Sequence, residues 1–353
     1  MKDIQNPRKT GWVNRLSLIG IIVIALVIGL YPLPYYVTSP GSANELAPII
    51  HVKGGDKEQG SFMLTTVRIG KANIPQYLYA KVSDYRELLP ANNVRAEDET
   101  DEEYNQRQLQ MMQDSQHAAT VVAYRKAGKK VDIISKGVYV TGIISGMPAE
   151  GKLKVGDEIV ELEGKPVKTT EELLERLAGK KAGDKVKLKV QRGKKKLNRT
   201  VALKKFPKKL SQNNEKRAGI GITYPVTDVE IKVDPPINIK TSEIGGPSAG
   251  LMFSLEILNQ LTEGDMTKGH KIAGTGTMNI NEEVGPIGGI QQKVVAADKA
   301  GAKIFFAPVS DNNYKDAVKA AKDIDTSMKI VPVKKMDDAI SYLKKLKQKA
   351  GVK

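Results

Sequence analysis

Hydrophobic and polar positions split the chain into one long apolar run near its start and a series of shorter alternating and helical patterns. Residues 16–30 (LSLIGIIVIALVIGL) are almost wholly apolar, and no charge occurs from Leu16 to Ser39. A bilayer core of about 30 Å needs about 20 helical residues, so a helix over 12–31 is long enough to cross one. Pro32 and Pro34 end it, Tyr31, Tyr35 and Tyr36 suit the outer interface, and Trp12 suits the inner one. Lys2, Arg8, Lys9 and Arg15 precede the run against Asp3 alone, which orients residues 1–11 to the cytoplasm and the bulk of the chain outside. A cleaved signal peptide is the alternative, but the run is longer than a usual signal core and no A-x-A site follows Leu30.

Residues 38–128 read as a mixed segment packing with the last domain: Met63–Ile69 has strand composition and Tyr77–Val82 reads as a weaker strand. Six of the seven residues from Glu97 to Glu103 are acidic, which fits the solvated start of a helix. Thr100 and Glu103 have capping-box spacing, and the helix runs to about Ala127 with Gly128 after it. Met111, Met112, Ala118, Val121 and Val122 are its expected buried positions. Residues 129–206 then show short β-rich runs (131–134, 138–144, 158–162, 186–190, 198–203) around one amphipathic helix, 170–177. Residues 212–345 carry strands near 229–233 and 237–240, then helices from about Pro247 and from Ile290.

Composition narrows the chemistry. With 353 residues, 40% hydrophobic and 27% charged, the chain can bury about two domain cores. Zero cysteines exclude disulfides, thiolate catalysis and cysteine-ligated metals. His51, His117 and His270 are far apart and form no zinc motif, so no metal and no cofactor is expected. The net charge is +16, and most of it lies between Lys180 and Lys209, where fourteen Lys or Arg stand against Asp184. Lys185, Lys187 and Lys189 alternate with apolar residues and so form the solvent face of a strand. Only Phe206 is near for base stacking, which argues against nucleic acid; a merely solvated face is the plainest reading, and anionic lipid or cell-wall polymer is the contact such a face would suit. The run Gly146–Leu153 matches the glycines and lysine of a P-loop, but Leu153 stands where the magnesium-binding hydroxyl belongs and Pro148 removes a donor.

The segment from Pro148 to Gly164, PAEGKLKVGDEIVELEG, resembles the PDZ family. That resemblance implies a β-sandwich-like domain over 129–206 in which Gly137, Val138, Tyr139 and Val140 line a peptide groove by strand addition.

Ser248 lies in GGPSAG (245–250), directly before an apolar run that reads as a helix. Glycines there admit another backbone, and the helix start can stabilise an oxyanion, although an N-cap serine is the plainer reading of this motif alone. Farther on, Thr275 lies in IAGTGTM, and Lys293 follows PIGG and precedes Val294, Val295, Ala296 and Ala297. These motifs in this order, with AGAKIFFAP (300–308) as the next strand, resemble the proteolytic domain of Lon over about residues 215–345. The resemblance implies a ribosomal S5 domain 2-like α+β fold and a Ser–Lys dyad. Ser248 is then the nucleophile, Lys293 the base, Thr275 a supporting hydroxyl, and Gly245, Gly246, Pro247 and Ala249 the oxyanion and substrate strand. Lon enzymes often carry an acid before Gly-Pro-Ser; here that position is Gly245, and Glu243 is not equivalent. A triad using His270 is disfavoured by its turn-like flanks, Lys268-Gly-His-Lys271.

The arrangement of anchor, PDZ and Lon-like domain resembles the SepM/YlbL-type membrane-anchored PDZ proteases of bacteria. The resemblance implies an α+β, ATP-independent serine endopeptidase outside the cytoplasmic membrane, acting on exported peptides or small membrane proteins, with homo-oligomers a family expectation. A PDZ scaffold that has lost activity and a surface adhesin acting through the lysine run are the alternatives.

Overall fold

The computed structural model describes residues 7–56, 59–95, 99–207, 218–241 and 244–349, and side chains from Arg15 onward. Its helices are α1 (Pro7–Leu30), α2 (Ile74–Lys81), α3 (Ala91–Val94), α4 (Asp101–Lys126), α5 (Thr170–Ala178), α6 (Gly250–Leu261), α7 (Ile290–Lys299), α8 (Asn313–Asp323) and α9 (Met336–Lys345).

Two sheets carry the architecture. The first runs in the spatial order 329–333, 304–308, 271–274, 61–73, 32–45, 87–90. Its first four strands are parallel and the last two pair antiparallel. Alternation along these strands feeds two cores, as a period of two requires. Phe62, Leu64, Ile272, Ile304 and Phe306 face α4, α6 and α9. Met63, Ala273, Phe305 and Ala307 face α7 and α8. The N-terminal strands 32–45 and 61–73 therefore complete the sheet of the C-terminal domain.

The second sheet runs 195–202, 185–192, 158–162, 131–139, 226–233 and covers a separate core that includes Leu173 and Leu177 of α5. The strand 226–233 was expected in the last domain. It instead pairs along its whole length with 131–139, with one register shift between Asp228 and Val229.

Four local expectations change. Residues 74–81 are a helix, not a strand, because Asn73 and Gln76 form a capping box and Pro75 sits in the first turn. In α4 the Thr100–Glu103 capping box is present and Met112, Val121 and Val122 are buried, but Met111 is exposed and Ala118 half-buried. Tyr36 is in the core beneath the Arg95 guanidinium rather than at an interface. In the basic hairpin, Lys189 and Arg192 are tied to Glu161 and to the fully buried Asp157, so part of the positive run holds the fold; Lys208 and Lys209 lie outside the described residues.

The apolar residues of α1 from Leu16 to Leu30 are mostly exposed, and the helix stops just before Pro32. Among the described residues no helix is long and apolar enough to cross a membrane; the expected span begins at Trp12, before the first described side chain.

Candidate active site

Three side chains from three layers meet at one end of the first sheet. Thr275 directly follows the strand 271–274, so it stands at the carboxyl end of a central parallel strand, where such folds place their sites. Ser248 comes from the layer of α6, which begins three residues later than the proline suggests, with Ala249 as N-cap. Lys293 comes from α7 on the opposite face. Gly289 caps α7 in a left-handed conformation (φ 69°), a turn that brings the helix tightly in behind the PIGG motif.

Lys293 Nζ lies 2.7 Å from Ser248 Oγ and 3.0 Å from Thr275 Oγ1. The Thr275 hydroxyl donates to the Ser248 carbonyl at 3.0 Å, and the Gly276 N–H donates to the same carbonyl at 2.9 Å. With its hydrogen spent on that carbonyl, Thr275 Oγ1 can only accept from the amine. One amine hydrogen is thereby fixed on Thr275 while the nitrogen stays within reach of Ser248. Lys293 is 2% exposed and Thr275 fully buried, whereas Ser248 is half-buried. Loss of hydration pushes the Lys293 amine down to about 7 from its ordinary 10.5. An amine of this kind is largely free base above neutral pH and can take a proton from a hydroxyl.

The loop before Ser248 is committed in part. The Gly246 N–H donates to the Gln108 carbonyl at 2.8 Å, and Pro247 has no N–H, so neither serves an oxyanion as expected. Gly245 is exposed, close against Gln108 of α4. Ser115 and Gln116 of α4 also reach this loop, bonding the Pro247 carbonyl and Thr241 Oγ1. Sequence reading missed these α4 residues; no spacing links positions 108–116 to a motif more than a hundred residues away. Glu243 lies outside the described residues. His270 sits at the other end of the strand 271–274, about 16 Å along it from Thr275 at 3.3 Å per residue, with its ring on the Lys347 carbonyl.

The predicted peptide groove does not form where it was placed. Gly137, Val138 and Tyr139 lie in a strand flanked on both sides: Val138 faces Ile159 on one side and Thr227 on the other. Val140 is fully buried and exchanges bonds with Asp157 and Gly156. A strand with both edges paired cannot accept a third.

Residues 107–203 match the model of the PDZ domain, and residues 210–345 match that of the Lon protease (S16) C-terminal proteolytic domain. The chain joins a PDZ domain to a Lon-type serine-peptidase domain. It is 36% identical over 95 residues to the Lon protease of Trichlorobacter lovleyi and 38% over 95 to that of Campylobacter concisus, each match covering 27% of this chain and 11% of the relative. With the Lon protease of Mycoplasma mobile it shares 29% over 132 residues, 37% of this chain and 15% of that one. The chain thus spans well under a fifth of the length of these Lon proteases. A solved PDZ domain of an SdrC-like protein from Listeria monocytogenes is 34% identical over 25% of this chain and 86% of that one, with a TM-score of 0.22. The matched PDZ region begins inside α4, earlier than residue 129, whereas the fold uses α4 to pack on α6.

Proposed function

We propose that the protein is a membrane-anchored, ATP-independent serine endopeptidase in which Ser248 and Lys293 form the catalytic dyad. The observation that carries this reading is the 2.7 Å contact between the hydroxyl of a half-buried serine and a buried lysine amine. In the first half-reaction Ser248 Oγ attacks the scissile carbonyl and its proton passes to Lys293 Nζ. The carbonyl oxygen becomes an oxyanion, and the N–H groups of Ser248 and Ala249, at the nucleophile itself and at the helix start, are the donors we assign to it, since the Gly246 N–H is committed to Gln108 and Pro247 has none. Collapse breaks the C–N bond, and the leaving amine takes the proton from Lys293. Water then attacks the acyl-serine, giving one proton to Lys293, which returns it to Ser248 Oγ as the carboxylic acid leaves and loses its remaining proton to solvent.

Substrate reaches the site as an extended peptide: an exported peptide or the exposed tail of a small membrane protein. A cavity of about 340 Å³ between α4 and the strands 226–233 and 237–239 supports this, since Ile237 and Ile239 on its wall lead directly into the loop before Ser248. The chain holds no complete P-loop, so nothing in it points to a nucleotide. The apolar run 16–30 and its basic flank support an anchor with the bulk of the chain outside the cytoplasmic membrane, and the exposed lysines of 185–196 support contact with anionic lipid or wall polymer.

Casein incubated with the protein without ATP tests the reading. Cleavage by the parent, abolished in Ser248→Ala and in Lys293→Met, is expected; equal cleavage by parent and Ser248→Ala overturns it.

A further inference from the structure

Peptide geometry links one α4 side chain to the reaction. A trans peptide is planar, with its C=O and N–H pointing to opposite sides, so whatever holds the carbonyl also aims the N–H of the next residue. The Pro247 carbonyl accepts the Ser115 hydroxyl at 3.0 Å. The N–H on the same plane belongs to Ser248. Ser115 is 4% exposed and comes from α4, outside the residues matched by the Lon proteolytic model.

Neighbouring contacts leave this helix little freedom. On one side of Ser115 the Gln108 carbonyl takes the Gly246 N–H at 2.8 Å; on the other, Gln116 Nε2 donates to Thr241 Oγ1 at 2.7 Å. A Cβ on Gly245 would stand 2.7 Å from Gln108 Cβ, and one on Gly250 would stand 3.0 Å from Ser115 Oγ, so glycines at both ends of the nucleophile motif admit the helix. The following peptide is held separately, since the Ser248 carbonyl takes Thr275 Oγ1 and the Gly276 N–H.

We propose that Ser115 is a positioning residue for the oxyanion-binding N–H of Ser248, fixing that N–H through its bond to the Pro247 carbonyl. The inference rests on Ser248 being the nucleophile. It predicts that Ser115 acts on the rate of the chemical step and not on substrate capture or on the lysine. Oxyanion donors held in place before the reaction are worth about a hundredfold or more each in kcat; a donor loosened but still present loses part of that.

The test compares the full chain with Ser115→Ala, each titrated to completion with a fluorophosphonate probe so that rates are expressed per reactive serine. The expected result is a fall of at least tenfold in kcat per titrated site on casein, with KM within twofold and the pH midpoint still at about 7. A variant in which fewer sites titrate but each turns over at the parent rate shows a merely structural role and overturns the proposal, as does an unchanged kcat. Should Ser115→Ala not fold, Ser115→Cys keeps the volume with a much weaker donor and is read by the same criteria. A parent protein that neither cleaves casein nor takes the probe would instead remove the dyad reading, a result distinguishable from any of these.

Discussion

Lys293 occupies a position that costs stability. The folded chain holds its amine near 7 while the unfolded chain holds it near 10.5. Between those values the unfolded state carries the proton and the folded state does not, so stability rises with pH across that window and the cost is fully present below about pH 7. A Lys293→Met variant, similar in volume but uncharged, is expected to be inactive yet more stable than the parent, by on the order of 5 kcal/mol at pH 6 and by little above pH 10. Urea unfolding of both proteins at the two pH values checks this. Equal stabilities at pH 6 would mean that the amine is solvated in the folded protein. At this scale the sequence was unusually informative. Ser248, Thr275 and Lys293 each lie in a short motif with glycines around it, and the structure brings those three together. Ser115 was invisible because its role depends on a contact across 132 positions of the chain.

Helix placement is set by backbone positions as much as by packing. Gly289 begins α7 at φ 69°, and a Cβ there would lie 2.7 Å from Val67 Cγ1 on the strand 61–73. Gly289→Ala therefore adds both a left-handed alanine and a clash, with an expected loss of about 1–3 kcal/mol by denaturant melts. Because the Lys293 N–H bonds the Gly289 carbonyl at 3.0 Å, the same change is expected to lower kcat more than a surface glycine substitution such as Gly301→Ala. Elements with local signals were legible: the α4 cap fell where the Thr100–Glu103 spacing put it and the helix 170–178 close to where its amphipathic pattern did, while the strand 304–308 lies where the resemblance to Lon implied one. Residues 74–81 misled because Tyr77 and Tyr79 favour strands, while the capping box that decides the matter is a two-residue signal. The groove at 137–140 misled for a different reason, since sequence cannot say that 226–233 will cover the strand's second edge.

The molecule is more interwoven than its linear order of domains suggests. Three strands of the first sheet come from residues 32–90, and Phe62, Leu64 and Met112 from the N-terminal half sit in the same core as Leu251 and Phe253 of α6. A polypeptide of residues 210–345 alone, the span of the proteolytic-domain match, loses those strands and exposes that core. It is expected to lack a cooperative thermal transition and to bind a hydrophobic dye, whereas residues 32–349 fold; a sharp transition in the short fragment would show that the first half is dispensable. The continuous sheet across the chain was only partly foreseeable, as packing of 38–128 on the last domain, because parallel pairing between 61–73 and 271–274 joins residues over two hundred apart.

The central claim is that Lys293 activates Ser248 as a free amine. Its most direct measurement is the rate of fluorophosphonate labelling of Ser248 against pH, from 5 to 10, in the parent and in Lys293→Met. The rate is expected to rise through a single midpoint at about 7 in the parent, with no labelling in the variant. A flat profile, a midpoint near 10, or equal labelling without the lysine would contradict it.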